Sequence, residues 1–266
     1  MKIIVCVKQV PDTSGKVAVN PDGTLDRASM QTITNPDDLN AVEAALKLKD
    51  ETGCKVIIVT MGPPPAEGML REILARGADE AVLVSGREFG GSDTYATSQI
   101  LAAAINRIGV EKEDIIMCGR QAIDGDTAQV GPQIAEKLHL PQVTYAADIQ
   151  KDGDTVLVKR MLEDGYMTVK VLTPCLLTCI KELNEPRYMS VGGVFEAYSK
   201  PMSVFDYEAL KDDPLIDPTT IGLKGSPTNI LTSFTPPQKG AGMMLEGADK
   251  ETCEKLAGIL AKKHII

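Results

Sequence analysis

Residues 119–131 read Gly119-Arg120-Gln121-Ala122-Ile123-Asp124-Gly125-Asp126-Thr127-Ala128-Gln129-Val130-Gly131, and the rest of the 266-residue chain is arranged around them. The apolar run at residues 115–118 precedes this stretch and is typical of a buried strand. Apolar residues at helical spacing follow it: Val130, Ile134, Ala135 and Leu138. Backbone N–H groups collect in a glycine-containing loop and in the first turn of the helix after it, where phosphate commonly binds. The stretch therefore predicts a strand, a phosphate-binding loop and a helix.

Two carboxylates, Asp124 and Asp126, stand in this loop, and a bare acid repels phosphate. We expect Asp126 to be the N-cap of the helix, with Gln129 closing a capping box. Asp124 would accept a hydrogen bond from a ribose hydroxyl or from the amides of the loop. The spacing is equally compatible with two acids that only cap a helix in a loop that binds nothing.

Strand-like and helix-like segments alternate over residues 1–140, at the spacing of βαβ units. Asn35-Pro36 marks one helix start, with Asn35 as a candidate cap and Pro36 at the first helical position, and Gly53 marks its end. We predict an α/β fold with a parallel-sheet, Rossmann-like nucleotide-binding domain. Ligands of such sheets bind at the carboxyl ends of the strands. The loops expected to meet there follow Val7, Thr60, Val84 and Cys118.

The pattern changes after Pro141 to short strand-like runs separated by Asp-Gly turns, which predict an antiparallel hairpin extension. A further strand at residues 174–181 would place Cys175 and Cys179 on one face. Beyond Asn184 the chain is rich in Pro and Gly and shows little periodicity before residue 250. We therefore divide it into an α/β domain, 1–183, and an extended C-terminal arm, 184–266, that wraps a partner and ends in a helix. Proposed apolar anchors of the arm include Ile230 and Phe234, and Leu256, Ile259 and Leu260 would share one face of the terminal helix.

Composition narrows the functional classes. A net charge of −9 argues against nucleic acid or an anionic membrane surface as a partner. No apolar run is long enough to span a bilayer, and residues 3–7 are too short for a signal peptide, so we expect a cytoplasmic protein. Six cysteines without a C-x-x-C pair, and only two histidines, provide no metal-ligand set.

Four segments resemble the electron transfer flavoprotein beta subunit, in that family's order and nearly from end to end. They are Val5-Cys6-Val7-Lys8-Gln9-Val10-Pro11-Asp12, the Asn35-Pro36 helix through Lys49, residues 119–131, and Leu183-Asn184-Glu185-Pro186-Arg187-Tyr188. The resemblance implies pairing with an alpha subunit and a FAD held between the two chains. It also implies that the central loop binds AMP or, in electron-bifurcating members, a second FAD.

The resemblance assigns the family's nucleotide site to matching positions of this chain. It implies binding residues there and no catalytic side chain. They are Cys6 (through its backbone), Asn35, Asp38, Met61, Gly119, Arg120, Gln121, Ala122, Ile123, Asp124, Gly125, Asp126, Thr127, Ala128, Gln129 and Val130. This set coincides with the rim of loops expected from strand order.

Residues 89–98 resemble a loop of the bifurcating members that has no counterpart in the AMP-binding form. Thr94 or Thr97 would donate a hydrogen bond to flavin N5 or O4 and so tune the ring. Residues 225–228 and 233–236 also resemble the bifurcating pattern, so we favour FAD over AMP. On the residues alone, 89–98 is also explained as a serine-capped helix start with Asp93 near its dipole.

Residues 187–198 resemble the family's recognition loop. Arg187 and Tyr188 begin it, and Val191 stands where a leucine inserts into a dehydrogenase partner. An acyl-CoA dehydrogenase and a hydroxy-acid dehydrogenase are both open as that partner.

The resemblance implies an electron carrier in which NADH donates a hydride to FAD on this chain. One electron would pass through the alpha-subunit FAD to a dehydrogenase, and the other to ferredoxin or flavodoxin. One alternative is a beta subunit that binds AMP structurally. A distant one is an ATP-consuming ligase domain, because residues 90–93 loosely resemble a pyrophosphate loop, although Phe89 replaces the expected Ser. A Rossmann dehydrogenase is disfavoured because no G-x-G-x-x-G follows the first strand.

Overall fold

A computed structural model describes residues 1–12, 31–228, 240 and 242–266. The expected anchors Ile230 and Phe234 and the motif at 233–236 lie outside the described residues. The strands are β1 (Lys2–Cys6), β2 (Gln9–Pro11), β3 (Thr32–Thr34), β4 (Lys55–Met61), β5 (Glu80–Val84), β6 (Ile115–Gly119), β7 (Gln142–Asp152), β8 (Thr155–Met161), β9 (Tyr166–Leu172), β10 (Cys175–Cys179) and β11 (Met202–Phe205). The helices are α1 (Pro36–Thr52), α2 (Glu67–Arg76), α3 (Thr94–Ile108), α4 (Val130–Lys137), α5 (Val191–Ala197), α6 (Tyr207–Leu210), α7 (Gly222–Gly225) and α8 (Lys250–Lys262).

A nine-stranded sheet in the order β11-β5-β4-β1-β6-β10-β7-β8-β9 organises the domain. Its strands are parallel from β11 to β7, and β7, β8 and β9 form the antiparallel extension. The predicted α/β fold and its hairpins are confirmed. Strand order reverses at β1, which lies between β4 and β6. This switch point is where an open parallel sheet binds its ligand, and the central loop leaves β6 there.

Helices cover both faces of the sheet, which explains the continuous apolar runs of its central strands. Ile3 and Val5 pack with α1 and α2 on one face, whereas Ile4 and Cys6 pack with α3 and α4 on the other. On β10, Cys175, Leu177 and Cys179 all join the first of these cores, as their period-two spacing predicts.

Helix α1 has the predicted ends. Asn35 is its N-cap residue and Pro36 its first helical residue. Gly53 ends it in the left-handed conformation, with φ of +70°, and donates its N–H to the Lys49 carbonyl at 2.8 Å. The helix thereby begins at the rim of the sheet, where its first turn can reach the loops after β1 and β6.

The expectation of little regular structure after Asn184 is wrong for much of residues 191–225, which form α5, β11, α6 and α7. β11 extends the sheet beside β5, and buried residues such as Leu210 and Ile221 fasten the segment to the α3 face. These anchors are too irregularly spaced to produce a periodic pattern. The predicted terminal helix is present as α8, and none of its residues is buried. The domain boundary after residue 183 and the wrapping of a partner remain predictions.

No helix in the described ranges combines the length and apolarity needed to cross a bilayer.

Candidate functional site

The ends of β1 and β6 are joined by one carboxylate, Asp38, from the first turn of α1. Its Oδ2 accepts the Lys8 backbone N–H at 2.8 Å, and its Oδ1 accepts the Gly119 N–H at 2.9 Å. Burial raises the pKa of Asp38 to about 7, against the opposing effect of these hydrogen bonds. Both carboxylate oxygens are thus used within the protein, and a direct contact of Asp38 with a cofactor remains a prediction.

Asn35 ties the central loop to the same helix end. Its Nδ2 donates to the Gln121 carbonyl at 2.8 Å, and its Oδ1 accepts the Ile123 N–H at 3.1 Å. Its own N–H donates to the Lys8 carbonyl at 2.9 Å. The side chain makes no capping bond to α1, so the expected side-chain cap is wrong: its amide is occupied by the loop.

Glycines admit this close packing at two points of the central stretch. A Cβ on Gly119 would lie 2.6 Å from the Asp37 carbonyl carbon and 2.7 Å from the Asp38 nitrogen. A Cβ on Gly131 would lie 2.8 Å from Thr178 Cγ2 and 3.0 Å from Cys118 Sγ, so α4 rests directly on the sheet. A Cβ on Gly125 would meet no described atom within 4 Å, so the loop is open at that position.

The loop turns through two left-handed residues before α4 begins. The Ala122 carbonyl accepts the N–H groups of Gly125 at 3.2 Å and Asp126 at 2.9 Å. Asp126 and Ala128 have φ of +50° and +52°, a left-handed conformation that is uncommon for non-glycine residues. The helix therefore starts only at Val130.

The predicted capping box is wrong for the same reason. Gln129, not Asp126, is the N-cap residue of α4, and it makes no side-chain capping bond. Asp126 instead accepts a hydrogen bond from Gln121 Nε2 at 2.8 Å. Residues 127–130 are at least partly exposed beside this turn.

Two cations offset the acids at this rim. Lys8 Nζ lies 2.7 and 2.8 Å from the two oxygens of Asp124, and Arg120 Nε lies 3.1 Å from Asp37 Oδ2. Burial raises the pKa of Asp37, and Arg120 opposes the shift. Asp124 is therefore part of an ion pair and not a bare acid. Sequence reasoning did not assign a role to Lys8, although its position directly after the first strand pointed to this rim.

The second predicted loop lies against the central loop. Thr94 Oγ1 donates to Gln129 Oε1 at 3.0 Å. Asp93, rather than a serine, caps α3 by accepting the Ala96 N–H at 3.0 Å. It also accepts the Thr228 N–H at 2.9 Å, while its own N–H donates to Ser226 Oγ at 2.8 Å. Two separated segments of the proposed bifurcating pattern, 89–98 and 225–228, thus meet at the start of α3.

The remaining predicted residues of the site are placed as follows. Cys6 ends β1 with its thiol buried, and burial raises the pKa of that thiol to about 12, so only its backbone suits a ligand. Met61 ends β4 and is packed against the core, and Thr97 lies one turn into α3. All three belong to the carboxyl-end rim.

Arg187 lies away from this rim and is held by α1. Its Nε and Nη2 donate to the two Glu43 oxygens at 2.9 and 3.1 Å, and Nη2 also pairs with Asp50 at 2.7 Å. The residues after it are exposed, Tyr188 at 93% and Val191 at 78%. After the role predicted for this segment, we call its exposed apolar side chains the docking patch: Tyr188, Met189, Val191, Val194, Phe195 and Tyr198.

Fold and rim together define an α/β protein built on a mostly parallel sheet, whose loops meet at the switch point of that sheet. The profile described as "Electron transfer flavoprotein domain" matches residues 22–210. Over the full length of both chains, the protein is 71% identical to the acryloyl-CoA reductase electron transfer subunit gamma of Anaerotignum propionicum. It is also 53% identical to the caffeyl-CoA reductase-Etf complex subunit CarD of Acetobacterium woodii and 50% identical to the electron transfer flavoprotein subunit beta of Clostridium acetobutylicum, again over full length. The chain belongs to the electron transfer flavoprotein family, as a beta subunit.

Proposed function

We propose that this chain is the FAD-binding beta subunit of a heterodimeric, electron-bifurcating electron transfer flavoprotein. In this proposal NADH donates a hydride to the FAD. One electron then passes through the alpha-subunit FAD to a dehydrogenase, and the other to ferredoxin or flavodoxin. The observation that carries the choice of FAD over AMP is the hydrogen bond between Thr94 and Gln129, because it sets the loop that resembles the bifurcating form against the nucleotide loop.

The residues at the rim fit a dinucleotide. Asn35 holds the central loop in place, and the open position at Gly125 leaves room for a pyrophosphate beside the backbone of 127–130. Lys8 and Arg120 offset the charges of Asp124 and Asp37 there, which reduces the repulsion of a phosphate by these acids. FAD would supply the acceptance of a hydride and the release of single electrons, while the chain binds and orients the cofactor and tunes it through Thr94 or Thr97.

The proposed protein partners use the other surfaces of the chain. The exposed helix α8 and the arm it ends are assigned to the alpha subunit. The docking patch is assigned to the dehydrogenase. Two relatives carry the names of acryloyl-CoA and caffeyl-CoA reductase complexes, which supports an acyl-CoA dehydrogenase over a hydroxy-acid dehydrogenase. A cytoplasmic location belongs to the same proposal.

The decisive experiment is a count of nucleotides in the purified heterodimer. The chain is co-expressed with its alpha partner, the complex is denatured, and released FAD and AMP are quantified. Two FAD and no AMP per heterodimer are expected. One FAD and one AMP would refute the FAD assignment and leave the structural AMP-binding alternative.

Gly125→Val tests whether the central loop is the site. No described atom lies within 4 Å of the new Cβ, so the fold accommodates it, and in this proposal the valine would crowd the bound nucleotide. We expect the FAD content to fall by about one per heterodimer. Gly165→Val is the matched control, because Gly165 is equally open but lies in the β8–β9 turn. Equal FAD content in both variants would refute the assignment of the central loop to the FAD site.

A further inference from the structure

The docking patch is carried by a helix that is pressed against α2 with no space for a side chain between them. A Cβ on Gly193 would overlap the Ala75 carbonyl oxygen and lie 3.2 Å from the Ala75 carbonyl carbon. Ala197, one turn on, is buried in the same interface. By contrast, a Cβ on the neighbouring Gly192 would meet no described atom within 4 Å. The close packing of α5 against α2 therefore depends on the glycine at position 193.

Cations hold the two ends of the patch segment on the last turns of α2. Arg71 Nη1 donates to the Ala197 carbonyl at 2.9 Å, and the Arg76 guanidinium donates to the Arg187 carbonyl. Lys200 Nζ donates to the carbonyls of Leu74 at 2.9 Å and Ala78 at 2.8 Å, where the negative end of the helix dipole favours a cation. The segment is tied to the domain on both sides of the exposed residues.

Arg187 fixes the first of these ends to α1 as well. Besides the two side-chain bonds to Glu43, the Arg187 backbone N–H donates to Glu43 Oε2 at 2.9 Å. Glu43 is buried, and such a bidentate pair is geometrically demanding. Nε and Nη2 of the Arg187 guanidinium are thus both bonded to carboxylates of α1.

We propose that Gly193 and Arg187 are positioning residues for partner docking. They fix the distance of helix α5 from α2 and the orientation of Val191 and Phe195, and they do not touch the partner. The inference rests on the proposed function, in which the docking patch binds the dehydrogenase. A patch held rigidly before binding loses little conformational freedom on association, and displacing it weakens the complex. The expected effect is thus on the affinity for the partner and not on the cofactor.

The test compares Gly193→Ala with Gly192→Ala in the heterodimer. Both changes replace a helical glycine by alanine, so they share the gain in helix propensity. The reduced heterodimer is mixed with an acyl-CoA dehydrogenase that the wild type accepts, and KM for the dehydrogenase, kcat and FAD content are measured. We expect Gly193→Ala to raise KM about tenfold with little change in kcat or FAD content, and Gly192→Ala to change KM less than about twofold. Arg187→Lys, which keeps the charge but loses the bidentate geometry, should also raise KM.

Phe195→Ala distinguishes two hypotheses: that the docking patch binds the dehydrogenase, and that Gly193 positions the patch for this binding. Phe195 is 78% exposed, so its truncation should not disturb the fold. If Phe195→Ala raises KM and the double variant with Gly193→Ala is no worse than the worse single variant, the glycine acts through the patch. If Phe195→Ala raises KM and Gly193→Ala behaves like Gly192→Ala, the positioning inference is refuted and docking stands. If Phe195→Ala leaves KM unchanged, both are refuted.

Discussion

Replacing Gly119 by alanine probes the junction between the central loop and α1. The added Cβ would lie 2.6 Å from the Asp37 carbonyl carbon and 2.7 Å from the Asp38 nitrogen, whereas non-bonded carbon atoms prefer roughly 3.5–4.0 Å. These two obstructing atoms belong to the backbone of the first turn of α1 and cannot rotate away, and the Cβ would also overlap the Asp38 carboxylate oxygen Oδ1. Relief requires β6 and the helix to separate by about 1 Å.

The loss of stability follows from this separation. Overpacking of this kind costs about 1–3 kcal/mol. Separation also lengthens the hydrogen bond between the Gly119 N–H and Asp38, now 2.9 Å, and a buried bond of this kind contributes about 1 kcal/mol or more. We therefore expect Gly119→Ala to lower the free energy of unfolding by roughly 2–4 kcal/mol.

Urea denaturation of the purified chain measures this loss, with Gly125→Ala as the control. No described atom lies within 4 Å of a Cβ at Gly125, so its free energy of unfolding should change by less than about 1 kcal/mol. Titrated with FAD, Gly119→Ala should also bind more weakly than the wild type, because the loop amides move with β6. A Gly119→Ala chain as stable as Gly125→Ala would refute the close approach of α1 to the loop.

Two further changes test the electrostatics and the conformation of the rim. Burial raises the pKa of Asp38 to about 7. The folded chain therefore keeps a proton on Asp38 that the unfolded chain releases near the ordinary pKa of an aspartate. As a result, the contribution of Asp38 to the free energy of unfolding falls as pH rises from about 4 to 7. Asp38→Asn removes this slope, so the stability difference between wild type and variant should shift by roughly 2–3 kcal/mol between pH 5 and 7.5, and parallel urea midpoints would contradict it. Ala128→Gly removes the Cβ penalty of a left-handed residue, so thermal unfolding should show a gain of about 1 kcal/mol, and an unchanged Tm would argue against a strained loop.

The fold was largely predictable because its signals are local. Continuous apolar strands and helices at the period of 3.6 residues are set by burial on two faces, and Asp-Gly pairs mark hairpin turns. The rule that ligands bind at carboxyl ends then gathers the loops after β1 and β6 on one rim, which the structure confirms. Residues 191–225 escaped detection because their few anchors contact the sheet at irregular intervals.

The chemistry of the rim was less predictable because its pairs are distant in the chain. Lys8 and Asp124 are 116 residues apart, and Asn35 and Ile123 are 88 apart. No local sequence pattern shows which acid is paired with a lysine or arginine, or which backbone amide already donates a hydrogen bond to a side chain. The start of α4 was misplaced for another reason: Asp126 and Ala128 adopt left-handed backbone, which an aspartate indicates only weakly and an alanine does not indicate at all.

Helix α1 supports both proposed functional surfaces. Asp38, in its first turn, holds the loops at the nucleotide rim, and Glu43, five residues later, holds the base of the docking patch. At a rise of about 1.5 Å per residue these two carboxylates are separated by less than 10 Å along one rigid axis. A change at Asp38 should therefore alter cofactor binding first, and a change at Glu43 should alter KM for the partner first. In the proposed function, α1 therefore connects the nucleotide rim to the base of the docking patch, while α2 holds the rest of the patch in place.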